Sequence, residues 1–332
     1  MPYERERDTA IAAVRAASRV CRGVQANLVT AETLEKRDRS PVTVADFASQ
    51  AVVASVLAGA FPDDTVVGEE QAGELREDDQ AAMRAAIVEH VATGLDGEAP
   101  AESKVLDLID RCGLSRAEGD RYWTVDPIDG TKGFLRGGQY AVALALIESG
   151  RVVMGVLGCP NLDPGGGMAE TGGAGLIMAA ALGDGTHLWS MTDDGEGRSI
   201  RVSEVRRTED ARFCESVESG HSSHDDAAAV ARALGITESS VRMDSQAKYA
   251  TVARGEAQIY LRLPTRKDYR ECIWDHAAGM ITVTEAGGRV TDVHGRDLDF
   301  NHGRRLEANA GIIATNGPIH DRVVEAVRGV LG

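Results

Sequence analysis

Lysine is scarce in this chain of 332 residues, at Lys36, Lys104, Lys132, Lys248 and Lys267 only, and the formal net charge is −16. That balance argues against a nucleic-acid polymer as partner, because affinity for a polyphosphate backbone comes from clustered Lys and Arg. A small anionic substrate would have to be drawn in by local cations, against the field of the whole protein. Cysteine is sparse too: Cys21, Cys112, Cys159, Cys214 and Cys272 are odd in number, widely spaced and without a CxxC pair. Neither a disulfide framework nor a zinc site follows from them. No apolar run reaches the roughly 18 residues of a membrane span. The leading MPYERERDTA lacks the apolar core of a signal peptide, so the expectation is a cytoplasmic protein with no membrane contact. Hydrophobic residues make up an ordinary 43%, enough over this length for one large domain or two of common size.

What is present centres on WTVDPIDGTKGFLRGG, Trp123 to Gly138. Extended pattern delivers the chain to Asp126, and Pro127 fixes a dihedral and removes an N–H, so Asp126 is expected in a turn. Asp129 follows, then Gly130 and Thr131, where tight backbone with outward N–H groups can receive a phosphate. Two carboxylates about 4 Å apart repel by roughly 4 kcal/mol at an effective dielectric near 20. Such a loop must hold protons or a hard cation, and Mg²⁺ takes oxygen ligands and is commonly completed by substrate phosphate. An isolated DPxDG is more often a plain hydrophilic turn, so the weight falls on the rest of the chain.

Helical spacing marks Thr9 to Leu28, and a second apolar helix starts at Thr43 or Asp46 and stops at Phe61-Pro62, placing Asp46 at or near a helix start. Val66-Val67 reads as a short strand ending at Gly68, with Glu69 and Glu70 directly after it. Residues 73–119 are acidic, alanine-rich and helical. Tyr140–Ile147 with Val152–Leu157, and Gly175–Ala181 with His187–Ser190, read as hairpins. The second half alternates strands (Arg212–Glu218, Ile259–Leu263, Gly311–Thr315) with helices (Ser223–Leu234, Ala247–Arg254, Trp274–Glu285, Ile319–Val330). The pattern predicts two layered domains of alternating sheets and helices, 1–160 and 161–332, with the glycine-rich Asp163–Gly175 as a connection.

PVTVADFASQ, VVGEE, DPIDGTKGFLRG and WDHAAGMITVTEAGG occur in this order between Pro41 and Gly288. Together they resemble the lithium-sensitive, Mg²⁺-dependent phosphomonoesterases of the inositol monophosphatase superfamily. KGFLRG, with HSSHD, DSQAKY and YLRLP, is similar to the superfamily's bisphosphate nucleotidases, which remove the 3'-phosphate of adenosine 3',5'-bisphosphate. The resemblance implies a five-layered αβαβα sandwich with the site between its halves. It implies Glu69, Asp126, Asp129, Asp275 and the Ile128 carbonyl as ligands of two Mg²⁺ ions, with a third position open and Glu70 behind Glu69. Thr131, hydrogen-bonded to Asp46, would orient the attacking water, and Gly130 with Thr131 would hold the phosphate. His221, Ser245, Lys248 and Arg262 would contact the nucleotide, with Tyr249 and Tyr269 as rings for a base. The implied protein is a monomer acting on a small nucleotide, inhibited by Li⁺. An inositol polyphosphate or sugar-bisphosphate phosphatase, and a non-catalytic metal or nucleotide sensor on the same fold, are the competing readings.

Overall fold

A computed structural model describes residues 3–28, 40–97, 100–113, 120–166, 173–193, 195–217, 224–266 and 268–332. Helices α1 (Glu4–Leu28) and α2 (Ser40–Ala60) come first, then strand β1 (Thr65–Gly68) and helices α3 (Ala81–Gly94) and α4 (Glu102–Asp110). Strand β2 (Arg121–Asp129), the short helix α5 (Thr131–Leu135), and strands β3 (Ala141–Glu148), β4 (Arg151–Cys159), β5 (Leu176–Ala181), β6 (Gly185–Ser190) and β7 (Arg198–Ile200) follow. The remainder comprises β8 (Phe213–Glu215), α6 (His224–Ala233), β9 (Val241–Arg242), α7 (Ala247–Ala253), β10 (Ile259–Arg262), α8 (Ala277–Glu285), β11 (Arg289–Thr291), β12 (Ile312–Thr315) and α9 (His320–Leu331).

Strands β1 to β7 form one sheet in chain order, and a second sheet runs β11-β12-β10-β8-β9. α1 and α2 cover the outer face of the first sheet, α7 and α8 lie between the sheets, and α6 and α9 close the far side. This is the layered sandwich expected. The division expected at residue 160 is corrected: β5 pairs with β4 from Met154↔Ala181 to Cys159↔Leu176, so the first sheet continues to Ile200. The sheets part between Ile200 and Phe213, and the glycine-rich piece joins two strands of one sheet. Residues 167–172 of that piece lie outside the described residues.

Strands β3 and β4 are apolar and buried along nearly their whole length, because helices cover both faces. Ser149 at φ 48° and Gly150 at φ 71° turn the chain between them, the paired left-handed geometry of a tight hairpin. A Cβ on Gly155 of β4 would lie 2.6 Å from Ile281 and 2.9 Å from the backbone of Ala278, so α8 rests directly on the strand.

Helix Val42–Ala60 is, by length and composition, apolar enough to cross a membrane, contrary to the expectation that no run has that character. It is a core helix: Ala48, Ala51, Val52 and Ala54 are fully buried, and so are the polar Ser49 and Gln50, each hydrogen-bonded to neighbouring segments. α2 begins at Ser40, so Asp46 lies well inside it and is no helix-terminal acid.

Candidate active site

The parallel pairing of β1 with β2 sets Gly68 opposite Val125, so the next residues, Glu69 just past β1 and Asp126 within β2, come side by side. Gln50 fastens the acidic turn after β1: its amide donates to the Glu70 carbonyl at 2.9 Å and accepts the Glu70 N–H at 3.0 Å. Asp126 is not in a turn. It is still paired within β2, opposite Ala143, and the register slips between it and Asp129. Proline is tolerated because an irregularity at this point frees its position from the ladder. Ser49 donates to the Pro127 carbonyl at 3.0 Å and fixes the irregularity from below.

Gly130 adopts φ 88°, and a Cβ there would lie 2.8 Å from the Cβ of Ser245, so the two loops meet in a contact that only glycine allows. The meeting brings the N–H of Gln246 to within 2.6 Å of the Asp129 carboxylate. Gln246 then reaches the second half: its amide donates to the Trp274 carbonyl at 2.9 Å and accepts the Gly279 N–H at 3.0 Å. The segment around Asp275 is thereby tied to Asp129 through one buried residue, by its backbone N–H on one side and its side chain on the other. The Arg304 guanidinium, 4.4 Å from the Trp274 ring and 3.4 Å from the Glu69 carbonyl, makes a second tie.

These segments enclose a cavity of about 430 Å³, a size typical of small-molecule sites. Its lining includes Glu69, Asp126, Ile128, Asp129, Gly130, Thr131 and Asp275, together with Ser245, Lys248, Tyr260, Arg262 and Tyr269. All five expected metal ligands therefore face one space, together with three of the four expected nucleotide contacts. His221, the fourth, lies outside the described residues. Tyr269 lines the cavity as expected, whereas Tyr249 is buried behind Tyr260 in an edge-on contact, 4.9 Å between centroids. Tyr249 is thus structural, and Tyr260 takes its place on the wall.

Burial, followed by the like charges of Glu70 and Asp129, pushes Glu69 up to about 7. Asp126 is held well above the usual carboxylate range by burial and then by Glu69 and Asp129. Burial lifts Asp275 to about 8, against the opposing charge of Arg262. Asp46, behind the site, is likewise raised by burial and by Glu70 and Glu69. One buried oxygen of Asp126, Oδ1, has no hydrogen-bond partner. Crowded carboxyls with an orphaned oxygen and a backbone carbonyl, with no nitrogen or sulfur among them, fit a hard divalent cation such as Mg²⁺. Glu271 and His276 have ligand atoms within 4.8 Å of Asp275. They are committed elsewhere, Glu271 to Arg262 and His276 to Tyr249, which leaves Asp275 for an ion.

One expected contact is not formed. The Thr131 hydroxyl points to the Ile128 carbonyl, 3.5 Å away, rather than to Asp46. The first turn of α5 places a threonine hydroxyl over the carbonyl three residues earlier, a common local bond for this side chain.

A family model for the inositol monophosphatase family matches residues 3–331. The chain belongs to that family. It is 46% identical to the 3'(2'),5'-bisphosphate nucleotidase of Emericella nidulans, over 100% of this chain and 99% of the relative. To that of Schizosaccharomyces pombe it is 43% identical, covering 99% and 97%. Among solved structures, the inositol monophosphatase of Thermotoga maritima superposes with a TM-score of 0.63 at 23% identity, covering 98% and 97%. CysQ from Bacteroides thetaiotaomicron gives 0.63 at 21%, covering 95% and 98%. These structural likenesses carry the fold. Four residues that help assemble this family member's site have no role assigned from the sequence: Gln50 and Gln246, which lie inside PVTVADFASQ and DSQAKY, and Glu271 and Arg304, which lie in none of the motifs. Gln50, Gln246 and Glu271 are buried and Arg304 is half-buried.

Proposed function

We propose that the protein hydrolyses the 3'-phosphate of adenosine 3',5'-bisphosphate to give AMP and phosphate, with Mg²⁺ as cofactor. The observation that carries this reading is the lining shared by one cavity: the four carboxylates and the Ile128 backbone, the cations Lys248 and Arg262, and the rings of Tyr260 and Tyr269. The names of full-length relatives at 43–46% identity point the same way.

Glu69, Asp126, Asp129, Asp275 and the Ile128 carbonyl would hold the cation. Bound there, a divalent cation supplies Lewis acidity toward phosphoryl oxygen and lowers the pKa of water. The backbone at Gly130 and Thr131 orients the phosphate to be removed. The Thr131 hydroxyl, which here points to the Ile128 carbonyl, would turn to orient the attacking water, with Asp46 as the assigned proton acceptor once the two meet. Water attacks phosphorus in line, the bond to the ribose 3'-oxygen breaks, and that oxygen takes a proton. Arg262 offers a planar fork and Lys248 a point charge to the phosphate that stays. Burial lowers the Lys248 pKa while the charge of Asp129 opposes it, so an arriving dianion favours its charged form. The 5'-phosphosulfate analogue fits the same arrangement. We place the enzyme as a cytoplasmic monomer in sulfate-assimilation housekeeping, inhibited by Li⁺ competing for a cation position.

The test is phosphate release from adenosine 3',5'-bisphosphate, inositol 1-phosphate and inositol 1,4-bisphosphate, each with Mg²⁺ and with EDTA. Preference for the nucleotide, lost in EDTA, is expected. Preference for an inositol phosphate would discard the nucleotide pocket and keep the acidic site. No release from any of the three would bring the sensor reading forward.

A further inference from the structure

Behind Arg262 and Lys248 runs a chain of buried contacts that the reaction itself does not use. Glu271 is 5% exposed, and its Oε2 receives Arg262 Nη2 at 3.0 Å and His276 Nε2 at 3.3 Å. On the other side of the ring, His276 Nδ1 lies 2.9 Å from the Tyr249 hydroxyl. A carboxylate beside an arginine accepts, so Nε2 carries the imidazole proton and Nδ1 accepts the Tyr249 O–H. Tyr249 in turn stands edge-on to Tyr260, whose ring lies 5.1 Å from Lys248 Nζ. Burial opposes ionisation of Glu271, but the His276 hydrogen bond and the Arg262 charge prevail and hold its carboxyl down at about 2.

We propose that Glu271, braced by His276, is a positioning residue that presets the Arg262 fork for the substrate phosphate that is not cleaved. Three observations converge on this. Arg262 lines the cavity while Glu271 does not. Glu271 engages Nη2, whereas the buried Nε has no hydrogen-bond partner. The ion pair also partly neutralises the arginine, so the contact with an anion depends on a fixed geometry more than on net charge. A fork held in place forgoes the ordering cost that a free arginine side chain meets on binding.

The inference rests on the proposed function, and the sign of one effect separates it from plain electrostatics. Removing a negative charge from beside an anion site would by itself tighten anion binding. If positioning dominates, binding weakens. For Glu271→Gln, KM for adenosine 3',5'-bisphosphate should rise about tenfold while kcat changes less than about threefold. KM for adenosine 3'-monophosphate, which has no second phosphate, should move less than about twofold. Glu271→Gln in an Arg262→Gln background should add no further loss, the signature of two residues acting as one. His276→Gln, which keeps a donor but not the ring, should shift KM in the same direction by about threefold, and it stands in if Glu271→Gln does not fold. An unchanged or lower KM for the bisphosphate, or an equal loss on both substrates, would overturn the proposal. A wild-type enzyme inactive on the bisphosphate would instead refute the proposed function.

Discussion

Among the described residues, Asp129 takes one hydrogen bond, from the backbone N–H of Gln246, and sits among carboxyls that repel it. Asp129→Asn keeps the shape and removes the charge. Phosphate release should fall at least about a thousandfold, and the melting temperature in EDTA should stay level or rise because one repulsive charge is gone. Near-normal turnover would sink the ligand assignment. His320 illustrates the opposite case, a neutral buried group. Its ring nitrogens lie 3.0 Å and 2.9 Å from the hydroxyls of Thr291 and Thr315, and burial, then the charge of Arg289, lowers its pKa to about 4. The unfolded chain takes up this proton near pH 6.5 and the folded one only near 4, so stability is full above 6.5 and is lost as the pH falls from there toward 4. The loss is of order 2 kcal/mol. Denaturant melts at pH 7 and pH 5 should show it, and His320→Gln should remove this share of the difference.

At the scale of elements, the decisive piece is the segment from Asp244 to Gln246, which joins the acidic loop to the start of α8. Asp244 pairs with Arg136 after α5, and Ser245 holds φ 70°, unusual for a residue with a Cβ. Gln246→Ala should cost about 2 kcal/mol of stability, through two lost hydrogen bonds of a buried amide and the groups they leave unpaired. It should also lower kcat by more than the resting fold suggests, about tenfold or more, because Asp275 is no longer indexed to Asp129. A loss of stability with unchanged kcat would refute that coupling. Gly155→Val, by contrast, would drive α8 off β4 and should cost about 3 kcal/mol by overpacking, read as a lower denaturant midpoint at unchanged slope.

The same elements show what could be read in advance. β3 and β4 were legible because eight- and nine-residue apolar strands leave little other choice. β7 and β9, three and two residues long, carry no pattern of their own and exist only because a neighbour supplies their hydrogen bonds. Asp126 was misplaced in a turn because Pro127 normally ends a strand, and the irregularity that excuses it depends on Ser49 from another helix. The carboxylates were legible as a set only through the resemblance carried by VVGEE, DPIDGTKGFLRG and WDHAAGMITVTEAGG, since an acidic turn alone is a common surface feature. Gln50, Gln246 and Glu271 were not, because each gains its role only when distant segments meet around it.

Across the whole molecule, the acidic surface and the acidic site act differently. The net charge of −16 is spread over solvent and is screened by salt. The carboxyls of Glu69, Asp126, Asp129 and Asp275 are crowded where the two sheets face one another, and no salt reaches between them as readily. Without a divalent ion they can be relieved only by holding protons, as burial raises Glu69 to about 7 and Asp275 to about 8, and any ionised pair repels across the seam between the start of α8 and the ends of β1 and β2. The seam between the sheets is therefore where the molecule should open first. Amide exchange in EDTA should be fastest, among core elements, at residues 273–279 and 66–70, and Mg²⁺ should slow it there while leaving α9 unaffected. Mg²⁺ at a hundredfold excess over its dissociation constant should add about 2.7 kcal/mol to global stability. On the proposed function, a bound divalent ion would brace the seam of the fold as well as serve the reaction, so the ion's supply would bear on how long the protein lasts as well as on how fast it works.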